Sequence, residues 1–305
     1  MPHWMIKAAI QAGLAQLPQP QRYNRLLQRY VTRRLRMSEA RVIGKFAQCR
    51  RHMANWRADA DARERAPRIL ELGTGWYPVV PIGLSLLGAG PVTSVDVDPL
   101  MGAAAPLQTA ACYLRLLDAG RLPEVDGARV EALREALGAS ASGAELLARL
   151  GIEVRVADAR ALPLDPGTID LFVSNNTLEH VPAPAILALF GEFARVAGPR
   201  ARMSHFIDMA DHYALFDPSI TVFNYLRYSE AQWRLFNNSL HYQNRLRLSD
   251  YRRLHEASGW RVVSEDATEG SADALGRVPV DASFGRYGDR DLRVFESWIV
   301  STKPE

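Results

Sequence analysis

The sequence predicts an α/β fold built on a doubly wound, mostly parallel sheet of seven strands, with an N-terminal helical extension and helical insertions. Strand-like and helix-like segments alternate along most of the chain, which favours a parallel sheet covered on both faces. The 305 residues are 48% hydrophobic and 23% charged, an ordinary globular composition. This length suits one large α/β domain with extensions.

Residues 1–65 are predicted to form a basic helical extension, and residues 66–305 the α/β domain. The extension carries 14 Lys and Arg against 4 Asp and Glu, whereas the remainder carries 23 against 30. From Arg22 to Arg36 apolar residues recur at helical spacing, and arginines line a different face. Ser38 can cap a second helix, whose apolar positions are Val42, Phe46, Cys49, Met53 and Trp56.

The seven predicted strands lie, in chain order, in the segments RILELG, PVTSVDVDP, IEVRVADA, IDLFVSNN, ARMSHFI, RVVSED and RVFESWIVST. Two insertions interrupt the alternation. Residues 102–150 have the pattern of three helices, and residues 207–248 are polar and aromatic. Long insertions at the carboxyl ends of parallel strands are where α/β proteins build substrate sites, so we expect residues 207–248 to form a lid.

The first strand leads into a glycine loop within the stretch ILELGTGWYPVVP, with Gly73 and Gly75 two residues apart. A dinucleotide-binding fingerprint would need a third glycine where Pro78 stands, and a P-loop would end in Gly-Lys-Ser/Thr. Both features are missing. The loop therefore predicts a close approach of backbone to a ligand other than a pyrophosphate.

Each of the first four strands ends in groups suited to a nucleoside ligand. Glu71 precedes the glycine loop, and Asp96 ends the second strand, where its two oxygens could accept both hydroxyls of a ribose. Asp158 and Ala159 follow the third strand as an acceptor and a backbone amide that could bind an exocyclic amine and a ring nitrogen. Asn175 ends the fourth strand.

The ordered segments LELGTG, VDVDP, VADARALPLDPGTIDLFVSNNTLEHV and SDYRRLHEASGWRVV resemble the successive motifs of class I S-adenosylmethionine-dependent methyltransferases, over residues 68–200 and 249–301. The resemblance implies a Rossmann-like fold with an antiparallel seventh strand, an enzyme, and S-adenosylmethionine as the cofactor. It also implies a role in cofactor binding for each residue at the strand ends: Asp96 holds the ribose, Asp158 the adenine amine, Asn175 the methionyl end, and Glu71 with the Gly73–Gly75 loop the methionine amino and carboxylate groups.

Candidate bases for the reaction lie in SHFIDMADHY, after the fifth strand, where two histidines and two aspartates fall within eight residues. A histidine oriented by a carboxylate is a plausible base, so His205, Asp208 and His212 are predicted as catalytic residues. The same side chains could instead hold a divalent metal ion. Their spacing matches no decisive ligand pattern, so no metal is predicted.

The acceptor is predicted to be a polar small molecule or a glycan, methylated at oxygen, because residues 207–248 combine aromatic side chains with neutral amides. The arginine-rich helix leaves two other partners open. It could bind RNA phosphates, which would make the protein an RNA methyltransferase, or lie on an anionic membrane surface. The net acidic sheet domain makes nucleic acid the less favoured partner. A further alternative is a non-catalytic scaffold subunit that binds S-adenosylmethionine.

Cellular location is predicted from what the sequence lacks. No apolar run approaches the roughly 18–20 residues of a membrane span, and the first residues lack the pattern of a secretory signal. Two cysteines, Cys49 and Cys112, do not suggest a disulfide framework. We expect a cytoplasmic protein, and the sequence does not indicate its oligomeric state.

Overall fold

The computed structural model describes residues 3–18, 37–58, 65–123 and 125–303, so the arginine-rich helix predicted from Arg22 to Arg36 lies outside the described residues. The α-helices are α1 (His3–Ala15), α2 (Glu39–Arg57), α3 (Val79–Leu86), α4 (Ala105–Asp118), α5 (Gly127–Ala139), α6 (Gly143–Arg149), α7 (Ala183–Val196), α8 (Glu230–Trp233), α9 (Leu248–Ala257), α10 (Ala272–Gly276) and α11 (Asp289–Arg293). The strands are β1 (Ile69–Leu72), β2 (Val92–Asp96), β3 (Ile152–Val156), β4 (Ile169–Asn175), β5 (Ala197–Asp208), β6 (Arg261–Glu269) and β7 (Val294–Thr302). Short 3₁₀ helices cover Leu178–His180, His212–Leu215, Asn224–Arg227 and Ala282–Phe284.

The strands form one sheet in the order β3-β2-β1-β4-β5-β7-β6. β1 to β5 run parallel, and β7 pairs antiparallel with both β5 and β6. The predicted fold class, including its antiparallel seventh strand, is confirmed. The chain moves outward from β1 to β3 and then resumes at β4 on the other side of β1. Ligands of such sheets bind at this reversal, outside the carboxyl ends of the strands.

Helices cover both faces of the sheet. α2 to α6 form one hydrophobic cluster with residues of β1 to β4, and α7 and α9 form a second cluster on the opposite face. In α2 the five predicted apolar positions are all buried, and the Ser38 side chain caps the helix. A methyl group at Gly83 of α3 would lie 2.9 Å from the Cys49 sulfur and 2.6 Å from the Tyr113 hydroxyl oxygen. α2 and α3 therefore approach each other more closely than any other residue at position 83 would allow.

Residues 207–248 form a third cluster together with α1. Trp4 of α1 is 1% exposed, and its ring centroid lies 5.3 Å from that of Tyr213 and 4.9 Å from that of Phe236. The Trp4 backbone amide also donates to the Asp217 carboxylate at 3.1 Å. The first helix thus anchors the insertion by an aromatic contact and a hydrogen bond. Within the described ranges, no helix has the length and apolar character needed to cross a membrane.

Candidate functional site

The glycine loop lies at the sheet reversal, and both of its glycines have backbone conformations that disfavour side chains. Gly73 has φ +93° and Gly75 has φ +66°. A methyl group at Gly73 would lie 2.4 Å from the Thr177 hydroxyl oxygen, so the loop packs tightly against the turn after β4. By contrast, a methyl group at Gly75 would lie more than 4 Å from every described atom other than those of Gly75 and its two neighbours in the chain. The backbone there is open to a ligand, as the loop pattern predicts.

Asp96 connects the glycine loop to the end of β2. One carboxylate oxygen accepts the Gly75 amide at 2.8 Å, and the other accepts the Asp98 amide at 3.1 Å. A carboxylate has about four acceptor sites, so capacity remains for two hydroxyl donors. The position and the remaining capacity of Asp96 fit the predicted contact with a ribose.

A cavity of about 710 Å³ opens beside Asp96, between the segment that follows β2, helix α6 and strand β3. Thr74, Gly75 and Asp96 form its inner wall. This volume lies in the range of cofactor sites. The long insertion between β2 and β3, which forms three helices as predicted, builds the outer wall through Gly143 and its neighbours.

Asp158 and Ala159 follow β3 but do not line this cavity. The Asp158 side chain is 49% exposed, and the guanidinium of Arg160 binds its carboxylate. The side-chain and backbone hydrogen bonds from Arg160 lower the pKa of Asp158 to about 2. Asp158 is therefore an ionised acceptor whose oxygens are partly occupied, and its contact with an adenine amine stays a prediction.

Glu71 lies beneath the glycine loop rather than at its surface. It is 2% exposed and accepts a hydrogen bond from the Ser94 hydroxyl at 2.5 Å, and the Ser94 and Thr74 hydroxyl oxygens are 2.6 Å apart. Burial raises the pKa of Glu71 to about 8, so the carboxyl is mostly protonated at neutral pH. This chain of hydrogen bonds supports the loop from below, and the predicted contact with a methionine amino group is untested.

Asn175, at the end of β4, is held by a residue of the N-terminal extension. Asn55 donates to the Ser204 hydroxyl at 2.9 Å, which leaves that hydroxyl to donate to His52 Nδ1 at 2.8 Å. His52 Nε2 then carries the proton and donates to Asn175 Oδ1 at 3.2 Å. Asn175 Nδ2 is buried and has no hydrogen-bond partner within the described part of the chain. A donor of this kind suits the carboxylate of a bound amino-acid group.

α2 also places the side chain of Lys45 at the ends of the strands. Its amine donates to Asn176 Oδ1 at 2.8 Å. Burial lowers the pKa of Lys45, while the nearby Glu179 opposes this shift. Sequence reasoning missed both Lys45 and His52, although His52 lies on the stripe of buried positions in α2 and the half-buried Lys45 borders that stripe. The sequence does contain a signal for them, since a polar residue stands on or beside the otherwise apolar stripe of this helix.

His205 does not reach the acceptor end of the site. It is fully buried in β5, its ring stacks on Phe190 with centroids 5.5 Å apart, and its Nδ1 lies 2.8 Å from the Ser174 hydroxyl. Side chains alternate between the two faces of a strand, and the ring of His205 contacts Phe190 of α7 and His255 of α9, so His205 faces these two helices. This position contradicts the expected contact with an acceptor, so the prediction of His205 as a base is wrong.

Asp208 and His212 do lie together at the end of β5. His212 Nε2 is 3.4 Å from Asp208 Oδ2, and their side chains are 12% and 20% exposed. Glu179, from the 3₁₀ helix after β4, adds a carboxylate that is 1% exposed. Ligand atoms of Glu179, His180 and His212 all lie within 4.8 Å of one another. Neither Glu179 nor His180 is among the site residues that the sequence predicts.

The amides of residues 207–248, expected to bind an acceptor, hold the insertion in place instead. The Asn244 side chain donates to the Leu178 and Val181 carbonyl oxygens, each at 2.8 Å. The Gln243 side chain donates to the Ala210 carbonyl oxygen at 2.5 Å. These hydrogen bonds fix the insertion over the turn that carries Glu179 and His180.

Comparison with known proteins agrees with the predicted resemblance. A family model described as "Methyltransferase domain" matches residues 119–204. No curated protein sequence matches the chain. Among solved structures, a SAM-dependent methyltransferase from Methanosarcina mazei is 16% identical with a TM-score of 0.42, covering 78% of this chain and 92% of that one. Geranyl diphosphate C-methyltransferase from Streptomyces coelicolor A3(2) is 13% identical with a TM-score of 0.45, covering 85% and 79%. Phosphoethanolamine N-methyltransferase 2 from Haemonchus contortus is 12% identical with a TM-score of 0.43, covering 79% and 49%.

Proposed function

We propose that the chain is a class I S-adenosylmethionine-dependent methyltransferase that methylates an oxygen of a polar small molecule or glycan. The observation that carries this proposal is the acid and imidazole cluster at the ends of β4 and β5. Glu179, Asp208 and His212 lie there, beside the strand that ends in Asn175. Polar, proton-accepting groups at this place suit a hydroxyl acceptor.

The residues at the other strand ends fit the cofactor. S-adenosylmethionine supplies a methyl group on a sulfonium, which is already a good leaving group. Asp96 has free acceptor capacity for the two ribose hydroxyls, and Gly75 leaves its backbone open. Asn175 Nδ2 is a buried donor suited to the methionine carboxylate.

The task left to the chain is to align the acceptor and to remove its proton. As the new oxygen–carbon bond forms, the carbon–sulfur bond breaks and S-adenosylhomocysteine leaves as a neutral thioether. The hydroxyl proton passes to Asp208, which lies next to His212. Charge balances because one cationic sulfonium is exchanged for one proton.

Two measurements test the proposal in sequence. Calorimetric titration with S-adenosylhomocysteine, for the wild type and Asp96→Ala, tests the cofactor site. Transfer of a deuterated methyl group to a panel of sugars, hydroxylated natural products and amines, followed by mass spectrometry, tests the acceptor. We expect methyl ethers from wild type and a large loss of turnover in Asp208→Asn with unchanged S-adenosylhomocysteine affinity. Methylation of amines alone, or full turnover in Asp208→Asn, would contradict oxygen transfer through Asp208.

A further inference from the structure

Glu179 is an unusual carboxyl group because it is buried without a side-chain partner. It is 1% exposed, and among the described residues no side chain hydrogen-bonds to its carboxylate oxygens, which only the backbone amides of Glu179 and Asp208 approach. The amine of Lys45 acts on it electrostatically but donates its hydrogen bond to Asn176. A buried carboxylate without a hydrogen-bonding side chain is costly, so ionised groups of this kind are paired or coordinate metals. A cationic partner at Glu179 would offset this cost.

Two imidazoles face the same space. His212 Nε2 is buried and has no hydrogen-bond partner in the described ranges, although Asp208 Oδ2 lies 3.4 Å away. His180 is the exposed member of the group. Its Nδ1 lies 2.7 Å from the Tyr242 carbonyl oxygen and must donate to it, which leaves the Nε2 lone pair available as a ligand. Histidine ligands of metals usually donate their other nitrogen to a carbonyl or carboxylate in this way.

The backbone fixes the three side chains relative to one another. Glu179 and His180 share the 3₁₀ helix after β4, and His212 begins the 3₁₀ helix after β5, the neighbouring strand. Asn244 tethers the first of these turns through hydrogen bonds to Leu178 and Val181. The ring centroids of His180 and His212 are 5.1 Å apart at an angle of 60°. Two ordered backbone turns therefore fix the positions of the three ligand side chains.

We propose that Glu179, His180 and His212 bind a divalent first-row transition-metal ion, next to the carboxylate of Asp208. The chemistry of the donors selects the class of metal. Imidazole nitrogen suits zinc, iron and related ions, whereas Mg²⁺ and Ca²⁺ prefer sites made of oxygen atoms. Three protein ligands leave at least one coordination position open for another oxygen.

The open position gives the metal a role at the proposed acceptor site. A divalent cation lowers the pKa of an oxygen that it binds, so an acceptor hydroxyl there would lose its proton to Asp208 more easily. This role rests on the proposed oxygen methylation, whereas metal binding itself does not.

The test is metal binding by the full chain in the absence of cofactor and acceptor. Protein treated with a chelator is titrated with Zn²⁺ and with Mn²⁺ by calorimetry, and bound metal is counted by elemental analysis after gel filtration. Visible absorption of the Co²⁺ form reports nitrogen ligation. We expect one ion per chain for the wild type. Glu179→Gln and His212→Gln should weaken binding by on the order of 100-fold, since loss of an outer partner of a ligand alone costs about 10- to 100-fold.

His241→Gln is the matched control. His241 lies next to His212, with ring centroids 6.0 Å apart, but is not a member of the ligand group. Its affinity for the metal should equal that of the wild type, and circular dichroism should show that all three variants are folded. Absence of Zn²⁺ and Mn²⁺ binding by folded wild-type protein would overturn the proposal, as would equal losses in all three variants. S-adenosylhomocysteine binding, measured separately, keeps a failure of this proposal distinct from a failure of the proposed function.

Discussion

Replacing His52 by glutamine should change how the stability of the protein depends on pH. His52 is fully buried between Ser204 and Asn175, and its ring packs against Trp298 with centroids 4.9 Å apart. Burial lowers the pKa of His52 from 6.5 to about 3. In the unfolded chain the imidazole titrates near its ordinary pKa, so below pH 6.5 the unfolded state binds a proton that the native state does not.

The sign and size of the effect follow from this difference. The contribution of neutral His52 to stability is fully present above pH 6.5 and is lost as the pH falls from 6.5 towards 3. One pKa unit corresponds to about 1.4 kcal/mol, so lowering the pH from about 7.5 to about 5 costs the wild type about 2 kcal/mol through this residue. His52→Gln should be less stable than wild type at neutral pH, because it loses packing and a hydrogen bond. That deficit should shrink by about 2 kcal/mol at about pH 5.

The assay is urea unfolding followed by tryptophan fluorescence for wild type and variant at several pH values. The difference between the two proteins is the informative quantity, since Glu71 and Asp211 have raised pKa values of about 8 and about 6. These two acids stabilise the native state as the pH falls, and they affect both proteins equally. Asn55→Ala is the control, because it removes a partner of the same Ser204 hydroxyl without removing a titrating group. A deficit of His52→Gln that stays constant with pH would refute the argument, as would a pH-dependent deficit in the control.

Three further substitutions have expected effects. Asp96→Ala should weaken S-adenosylhomocysteine binding by about 150- to 20,000-fold in calorimetry, from the loss of two charge-assisted hydrogen bonds worth about 3–6 kcal/mol together. Gly73→Ala should lower the free energy of unfolding by about 2–4 kcal/mol, through the strain of φ +93° and the clash with Thr177. Adding Thr177→Ala should recover the part due to the clash, and no recovery would contradict it. Trp4→Ala should cost about 3–5 kcal/mol and expose residues 207–248 to proteolysis, and unchanged resistance would contradict the anchoring role of α1.

The sheet could be predicted from the sequence because its physical signal is local. Most parallel strands are short apolar runs, and Gly73, Asp96 and Asn175 mark the carboxyl ends of β1, β2 and β4. Apolar residues at helical spacing likewise identified five buried positions of α2. These features depend on residues that are close together in the chain, so they can be predicted from the sequence without knowledge of the tertiary structure.

The face of a strand on which a side chain lies is harder to predict at a strand end. Ser204 and His205 are adjacent, yet Ser204 contacts α2 while His205 packs against Phe190 of α7. Both faces of β5 are buried, so the sequence shows no alternation that would distinguish them. A polar residue near the end of such a strand can therefore be predicted as part of the site and still lie on the opposite face.

The residues missed at the acceptor end share a different cause. Glu179 is adjacent to His180 in the chain, but the insertion that Asn244 fastens over this turn comes from a distant part of the sequence, as does Lys45 of α2, which acts electrostatically on the carboxyl. The surroundings of Glu179 therefore exist only once these segments have met in the fold. The absence of a side-chain hydrogen-bond partner for Glu179 is likewise a property of the assembled site. The N-terminal extension therefore belongs to the site. Lys45 hydrogen-bonds to Asn176 and acts electrostatically on Glu179, and His52 hydrogen-bonds to Asn175. The packing of α2 and the arrangement of these residues thus depend on the same contacts.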